Sequence, residues 1–246
     1  MYENVLIGGH KVRPLTSAAS ITAASITVLC IIIIGVGSAS TALSQNKQLT
    51  AKKIVEKMQT AYAASEDFQA TFVQSTAHKM FAGRLERSYG VVKFRKGGLM
   101  RWEYQRPENK LFIYDGKTLW VYEPEVPQVF AGTADAERLR RALAFLTGEG
   151  KILNEYNVKL LDAKKFKFTQ GAVLGLTPKD PKSPFKRIEL YVDTSTFRVS
   201  RSVVVDHEKN RNRIDFKNTK IGVGIPASAF SFTPPTGVPV LRPGQQ

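Results

Sequence analysis

Alternation of apolar and polar side chains with a period of two residues restricts the fold of this chain more than any other feature. In one stretch, Met100, Trp102 and Tyr104 would share one face of an extended segment, while Arg101 and Glu103 would lie on the other. This period is typical of a strand in a sheet with one covered face. Because it recurs along most of the chain, the sequence predicts a protein built mainly from strands.

The predicted strands are short and closely spaced. The other alternating runs lie at 69–76, 87–95, 110–114, 118–122, 157–161, 172–177, 187–192, 197–205, 212–218 and 229–233. Turn signals such as Gly97-Gly98 and Asp115-Gly116 separate neighbouring runs. About ten short strands at hairpin spacing indicate one domain with a single antiparallel sheet, curled or closed.

Two amphipathic helices accompany the strands. The first follows Thr50, a possible N-cap, and carries the apolar stripe Ile54, Val55, Met58, Ala61 and Tyr62. The second is predicted at 135–147, with the stripe Leu139, Ala142, Leu143 and Leu146. Such helices could complete a core beside a curved sheet or cover a cavity, and the residues alone leave both open.

The N-terminal residues have the layout of a secretory signal. Lys11 and Arg13 precede an apolar stretch at 26–36, and small residues follow at 37–42. We therefore predict a signal peptide at 1–42, cleaved after Ala39 or Ala42, and a single exported domain at 43–246. The alternative is a retained membrane anchor, because the apolar stretch 21–37 is 17 residues long.

Removal of that segment would change the cysteine count and the charge. Cys30 is the only cysteine, so the mature chain would have neither a disulfide nor a thiolate metal site. Cleavage after Ala42 leaves 204 residues with 34 basic and 20 acidic side chains, a net charge of +14. This excess favours an anionic partner, such as a lipid headgroup, an acidic protein surface or a nucleic acid.

Catalytic and cofactor-binding patterns are missing from the sequence. His78 and His207 are far apart, no nucleophile, zinc or phosphate-loop motif occurs, and Glu123 and Glu125 flank a turn proline. Segment 164–168 alternates lysine with phenylalanine, as single-strand nucleic-acid binders do, but a half-buried strand gives the same pattern. We therefore expect no catalytic activity, no cofactor or metal, and no nucleic-acid partner.

Large aromatic side chains are concentrated in the stretch 90–129. They surround Met100 and comprise Trp102, Tyr104, Phe112, Tyr114, Trp120 and Tyr122. Their number fits either an aromatic core or an apolar binding surface.

At these residues the chain resembles the LolA-type periplasmic carriers of outer-membrane lipoproteins. The matching pieces occur in the family's order: L-M-R-W-E-Y-x-x-P at 99–107, D-G-K-T-L-W-x-Y-x-P at 115–124, Y-N-V-K at 156–159, L-T-P-K at 176–179 and F-S-F-T-P-P-x-G-V-x-V at 230–240. Together they cover nearly all of the predicted mature chain.

The resemblance implies an α+β fold in which an open antiparallel β half-barrel is covered by a helical lid and encloses a hydrophobic cavity. It also implies a monomeric periplasmic carrier that receives acylated lipoproteins from an inner-membrane ABC transporter and delivers them to an outer-membrane acceptor. We expect the cavity lining to be Met100, Trp102, Tyr104, Phe112, Trp120 and Tyr122. We expect the lid contacts to be Ile54, Met58, Leu139, Leu143 and Leu146.

In the family, an arginine before the tryptophan strand holds the lid closed. Here Lys96 occupies the matching position, Arg95 is adjacent, and Gly97 replaces the family's usual proline. Lysine lacks the planar fork of arginine, so either Lys96 or Arg95 could be the latch, or the latch could be absent.

Two other functions fit the same sequence. One is a periplasmic sensor of lipids or lipoproteins with the same fold. The other is a module that binds a polyanion such as lipopolysaccharide through its basic surface. Salt separates the last from a carrier, because polyanion binding weakens steeply with ionic strength and acyl-chain binding does not.

Overall fold

The computed structural model describes residues 49–79, 84–132 and 152–242, all within one compact unit that spans Lys47–Gln246. The predicted signal segment and the predicted helix at 135–147 lie outside these residues. No helix in the described ranges is long and apolar enough to span a membrane.

Helix α1, Ala51–Ala63, confirms the first predicted helix. The Thr50 hydroxyl accepts a hydrogen bond from the backbone N–H of Lys53 at 3.2 Å and so caps the first turn. The apolar stripe places Ile54, Val55 and Met58 at 0% exposure. A second helix, α2, is the single turn Ile152–Glu155, and a 3₁₀ helix forms at Ala227–Phe230.

The described strands form a single sheet. They are β1 Asp67–Ala77, β2 Leu85–Arg95, β3 Leu99–Arg106, β4 Lys110–Tyr114, β5 Leu119–Glu123, β6 Gln128–Gly132, β7 Tyr156–Leu161, β8 Gly171–Pro178, β9 Phe185–Asp193, β10 Val199–Asp206, β11 Arg211–Ile221 and β12 Val240–Leu241.

The sheet is open, with the strand order β12-β6-β5-β4-β3-β2-β1-β11-β10-β9-β8-β7. All neighbours pair antiparallel except β12, which pairs parallel with β6. The long strand β1 lies in the middle because it pairs with β2 on one side and with β11, from the other end of the chain, on the other. The fold is therefore mainly β with helices, as predicted.

Two segments differ from their predictions. The run 229–233 is not a strand: it begins in the 3₁₀ helix, and its alternation arises because Phe230 is buried while Phe232 packs on Trp120 and Tyr122. Segment 164–168 is a turn, not a half-buried strand, and its phenylalanines pack on Tyr191. Strands β6 and β12 were not predicted, because neither has a clear alternating pattern.

The two faces of the sheet are covered differently. The inner face packs against α1 and carries the main core, in which Phe68, Phe72 and Leu190 are all buried. On the outer face, turn 162–168 covers Val173 and Tyr191. Residues 222–241, here called the C-terminal strap, run from β11 to β12, and Ala229 O accepts a hydrogen bond from the Arg101 guanidinium at 3.2 Å.

Asp67 fixes the start of the C-terminal strap. Its buried carboxylate accepts hydrogen bonds from the backbone N–H groups of Val223 and Ile225, both at 2.7 Å. Arg95 Nη1 donates to Ile225 O at 2.6 Å. The beginning of β1 and the end of β2 therefore hold the strap where it leaves β11.

Candidate functional site

The inner face of β1–β4 carries a cluster of aromatic rings. It is formed by Phe72, Phe94, Trp102, Tyr104 and Phe112, here called the aromatic cluster. The centroid of Phe72 lies 4.8 Å from that of Trp102 and 5.0 Å from that of Tyr104. Register explains the grouping, because Trp102 pairs with Phe112 across β3 and β4 and so shares a face with it.

Gly90 makes room for this cluster. It lies between Phe72 on β1 and Tyr104 on β3. A Cβ at Gly90 would be 2.0 Å from Glu103 O and 2.8 Å from the Phe72 ring. Because position 90 has no side chain, Phe72 and Tyr104 can meet above β2.

Toward one end of the sheet the inner face becomes polar. The Tyr104 hydroxyl donates a hydrogen bond to Gln74 Oε1 at 2.6 Å, and Gln74 Nε2 donates to Asn212 Oδ1 at 3.0 Å. Burial raises the pKa of Tyr104 to about 12, so this hydroxyl remains a donor at physiological pH.

A cleft of about 610 Å³ opens at this end, between β1, β2, β3 and β4. Tyr104 and Phe112 are its aromatic residues, Leu85 and Pro107 also line it, and its charged side chains are Arg84, Glu86, Arg87, Glu108 and Lys110. The aromatic cluster is therefore accessible from a polar opening, an arrangement typical of sites for molecules with an apolar body and a polar end.

The residues predicted to line a cavity divide between the two faces. Met100 and Trp102 are buried on the inner face, and Tyr104 and Phe112 are half-buried beside them. Trp102 Nε1 is buried without a hydrogen-bond partner, as judged from the described residues.

Trp120 and Tyr122 lie on the outer face. Their ring centroids are 5.7 and 5.8 Å from that of Phe232 in the C-terminal strap, and Trp120 Nε1 donates to Asp115 Oδ2 at 2.8 Å. Strand alternation explains their position, because the neighbouring Val121 pairs with Phe112 and points inward. We therefore leave Trp120 and Tyr122 out of the lining proposed below.

The predicted lid contacts are described only in part. Ile54 and Met58 are fully buried against the inner face. Leu139, Leu143 and Leu146 lie outside the described residues.

The two latch candidates have different partners. Arg95 binds the C-terminal strap through Ile225 O, as described above. Lys96 Nζ forms an ion pair with Glu66 Oε1 at 3.0 Å, and its backbone N–H donates to Glu66 O at 2.9 Å. Arg95 is therefore engaged with the C-terminal strap, and Lys96 with the turn between α1 and β1.

Sequence reasoning missed several residues at the site. Phe72 and Gln74 belong to a predicted strand, and their period-two spacing could have placed them on one face with Phe68. The contribution of Asn212 could not be found in this way, because it depends on the pairing of β1 with β11 across most of the chain.

The chain is similar in sequence to a family of known proteins. The family model "Outer membrane lipoprotein carrier protein LolA" matches residues 63–233. An outer-membrane lipoprotein carrier protein of Chromobacterium violaceum is 29% identical over 189 residues, covering 76% of this chain and 86% of the relative. One from Nitrosomonas europaea is 28% identical over 191 residues, covering 76% of this chain and 88% of the relative.

A solved structure supports the fold. An uncharacterized conserved protein from Thermus thermophilus has a TM-score of 0.50 and 17% sequence identity, covering 78% of this chain and 98% of that protein. No group of three or more histidine, cysteine, aspartate or glutamate side chains placed to hold a metal occurs within 49–79, 84–132 and 152–242.

Because the family model matches more than half of this chain, the chain belongs to the LolA family of outer-membrane lipoprotein carrier proteins.

Proposed function

We propose that this protein is a non-enzymatic periplasmic carrier that shelters the acyl chains of lipoproteins between the inner and outer membranes. The supporting observation is the aromatic cluster on the inner face, which opens through Tyr104 and Phe112 into the cleft of about 610 Å³. Relatives that cover most of this chain are named for the same activity.

The physical requirement is a replacement for the membrane interior. Each CH₂ group removed from an apolar environment costs roughly 0.8 kcal/mol, so an acyl chain leaves a bilayer at a useful rate only if the carrier offers apolar contacts. Met100, Trp102, Tyr104 and Phe112 are the proposed lining. Met100 suits a site that must also release its cargo, because an unbranched thioether side chain adapts to different shapes.

Helix α1 is the described part of the proposed cover, with Ile54 and Met58 against the inner face. The predicted helix at 135–147 would supply Leu139, Leu143 and Leu146. We further propose that cleavage after Ala39 or Ala42 releases the domain into the periplasm. There an inner-membrane ABC transporter would supply the cargo and an outer-membrane acceptor would receive it.

The experiment that tests this function has a structural control. The protein is incubated with membranes that contain diacylated lipoproteins, separated from them, and examined by native mass spectrometry and lipid extraction. Phe112→Glu places a carboxylate in the proposed lining, whereas Leu111→Glu places it one residue away on the opposite face of β4.

We expect the wild type and Leu111→Glu to carry acylated species and to transfer them to acceptor membranes, and Phe112→Glu to carry at least tenfold less. Capture by the wild type should persist in 1 M salt, since apolar contacts are not screened. Absence of acylated species from the wild type would contradict the proposal, as would equal loading of the two variants.

A further inference from the structure

A second groove, of about 510 Å³, lies on the outer face of the sheet and shares only Leu85 and Arg87 with the lining of the cleft beside the aromatic cluster. Its floor is β1, whose outward residues Val73, Ser75 and Ala77 are small or of moderate size. Its walls come from the strands on either side of β1 and from β10. The groove therefore runs along β1.

The walls are strongly basic. They carry the cations Arg87, Arg201, Arg211, Arg213 and Lys217, and a single carboxylate, Asp215. Register places Arg87 of β2 and Arg213 of β11 on either side of Ser75. Their Cα atoms are therefore about 9.6 Å apart, which is two strand spacings. The side chains of Arg87 and Lys217 make no ion pair with any described residue.

Asp215 shows how a carboxylate is held in this groove. Its oxygens accept hydrogen bonds from Arg201 Nε at 2.6 Å and from Arg213 Nε and Nη2 at 2.6 and 3.0 Å. Burial opposes ionisation of Asp215, but the hydrogen bonds and charges of Arg213 and Arg201 outweigh it and hold the pKa of this carboxyl below its usual value. Two neighbouring arginines are thereby fixed in orientations that suit carboxylates.

Arg211 is only partly neutralised. Its guanidinium lies 3.4 Å from Glu189, a buried carboxylate that also pairs with Arg187 at 2.9 Å. The groove therefore keeps a positive excess along its length.

We propose that this groove binds an extended, acidic segment of a partner protein. Arg211, Arg213 and Lys217 lie at odd-numbered positions of one strand, so their spacing is a multiple of about 6.8 Å. Alternate side chains of an extended peptide have the same spacing, so its acidic residues can face these cations in register. A recessed linear groove fits a chain laid along β1 better than a flat layer of lipid headgroups.

The test uses a defined probe, a fluorescein-labelled heptapeptide of alternating glutamate and threonine, in fluorescence anisotropy with the purified protein. The variant Arg87→Glu/Lys217→Glu reverses two charges that have no ionic partner among the described residues. Its matched control, Lys117→Glu/Lys182→Glu, reverses two exposed lysines in turns away from the groove. Should the first variant fail to fold, Arg87→Gln/Lys217→Gln replaces it.

We expect the groove variant to bind the peptide about tenfold more weakly than the wild type, and the control to stay within about twofold. A heptapeptide in which glutamine replaces every glutamate is the neutral control, and we expect that it does not bind detectably. Equal weakening in both variants, equal binding of the neutral peptide, or binding to phosphatidylglycerol vesicles without binding to the acidic peptide would each overturn the proposal. Lys217 lines the groove and not the cleft, so acyl-chain capture by the single variant Lys217→Glu should equal that of the wild type, and this comparison is independent of the carrier function.

Discussion

Two tyrosines, Tyr62 on α1 and Tyr104 on β3, have raised pKa values, and these make the free energy of unfolding depend on pH in the alkaline range. Burial raises the pKa of Tyr62 to about 12, despite the hydrogen bond that its oxygen accepts from the backbone N–H of Val199. Burial raises the pKa of Tyr104 to about 12 as well. In the unfolded chain both should ionise near pH 10.

We therefore predict that the free energy of unfolding falls as the pH rises from 10 to 12. In this window the unfolded chain loses the two protons while the folded chain retains them, so each tyrosine contributes a fall of at most about 1.4 kcal/mol per pH unit. Below about pH 9 these tyrosines add almost no slope.

Urea unfolding at half-unit intervals between pH 9 and 12 measures this dependence. The double variant Tyr62→Phe/Tyr104→Phe should show a shallower fall than the wild type, even though it starts from a lower stability. Identical slopes in the two proteins would show that neither tyrosine is responsible.

Individual residues also show which contacts local alternation in the sequence can predict and which it cannot. The alternation in 99–104 correctly placed Met100, Trp102 and Tyr104 on one face. The same logic could not say that Gly90 is required beneath Phe72, because that contact depends on the register between β1 and β2. It also could not decide which face of β5 points inward, since Val121 and Trp120 are both apolar enough for a core.

At the scale of elements, the buried carboxylate of Asp67 contributes two of the hydrogen bonds that attach the C-terminal strap, beside those from Arg95 and Arg101. Asp67→Ala would leave the backbone N–H groups of Val223 and Ile225 without their acceptor. We expect a loss of about 1–3 kcal/mol in the free energy of unfolding, the cost of one unsatisfied buried group, since Ile225 is buried whereas Val223 is exposed and its N–H can bond to water.

The matched control is Asp180→Ala, which removes a carboxylate that accepts a single backbone hydrogen bond, from Lys182, in an exposed turn. We expect it to cost less than about 1 kcal/mol in urea unfolding. Equal losses in the two variants would contradict the role assigned to Asp67. Amide exchange at Val223 and Ile225 should accelerate only in Asp67→Ala.

Elements with local sequence signals could be predicted, whereas elements that depend on long-range packing or pairing could not. Helix α1 was predictable because its cap and its apolar stripe are local signals. Segment 229–233 was not, because residues that pack on the face of a sheet alternate just as residues within it do. β12 was not predictable either, since two residues provide no period and their pairing depends on β6.

At the scale of the whole molecule, an open sheet has two edges that must be protected from pairing with other chains. The edge strand β7 carries the exposed Lys159, whose charge discourages pairing with another chain. Beyond β6, the edge is covered by the C-terminal strap: Val129 N donates to Pro239 O at 2.9 Å, and Val240 pairs with Val129.

We predict that deletion of residues 239–246 leaves β6 open to intermolecular pairing. Size-exclusion chromatography with light scattering should show association that increases with protein concentration. Deletion of 243–246 alone keeps β12 and should behave as the wild type. An equally monomeric 239–246 deletion would mean that β12 does not protect this edge.

The absence of closure in the described sheet has a geometric consequence. In a closed barrel, the number of strands and their shear together set the radius, so the interior can change only if strand pairs break. The described strands do not close into a barrel, so they are under no such condition, and the curvature of their sheet can change while every ladder of hydrogen bonds stays intact. Bending of the sheet itself would then allow one carrier to accommodate ligands of different width.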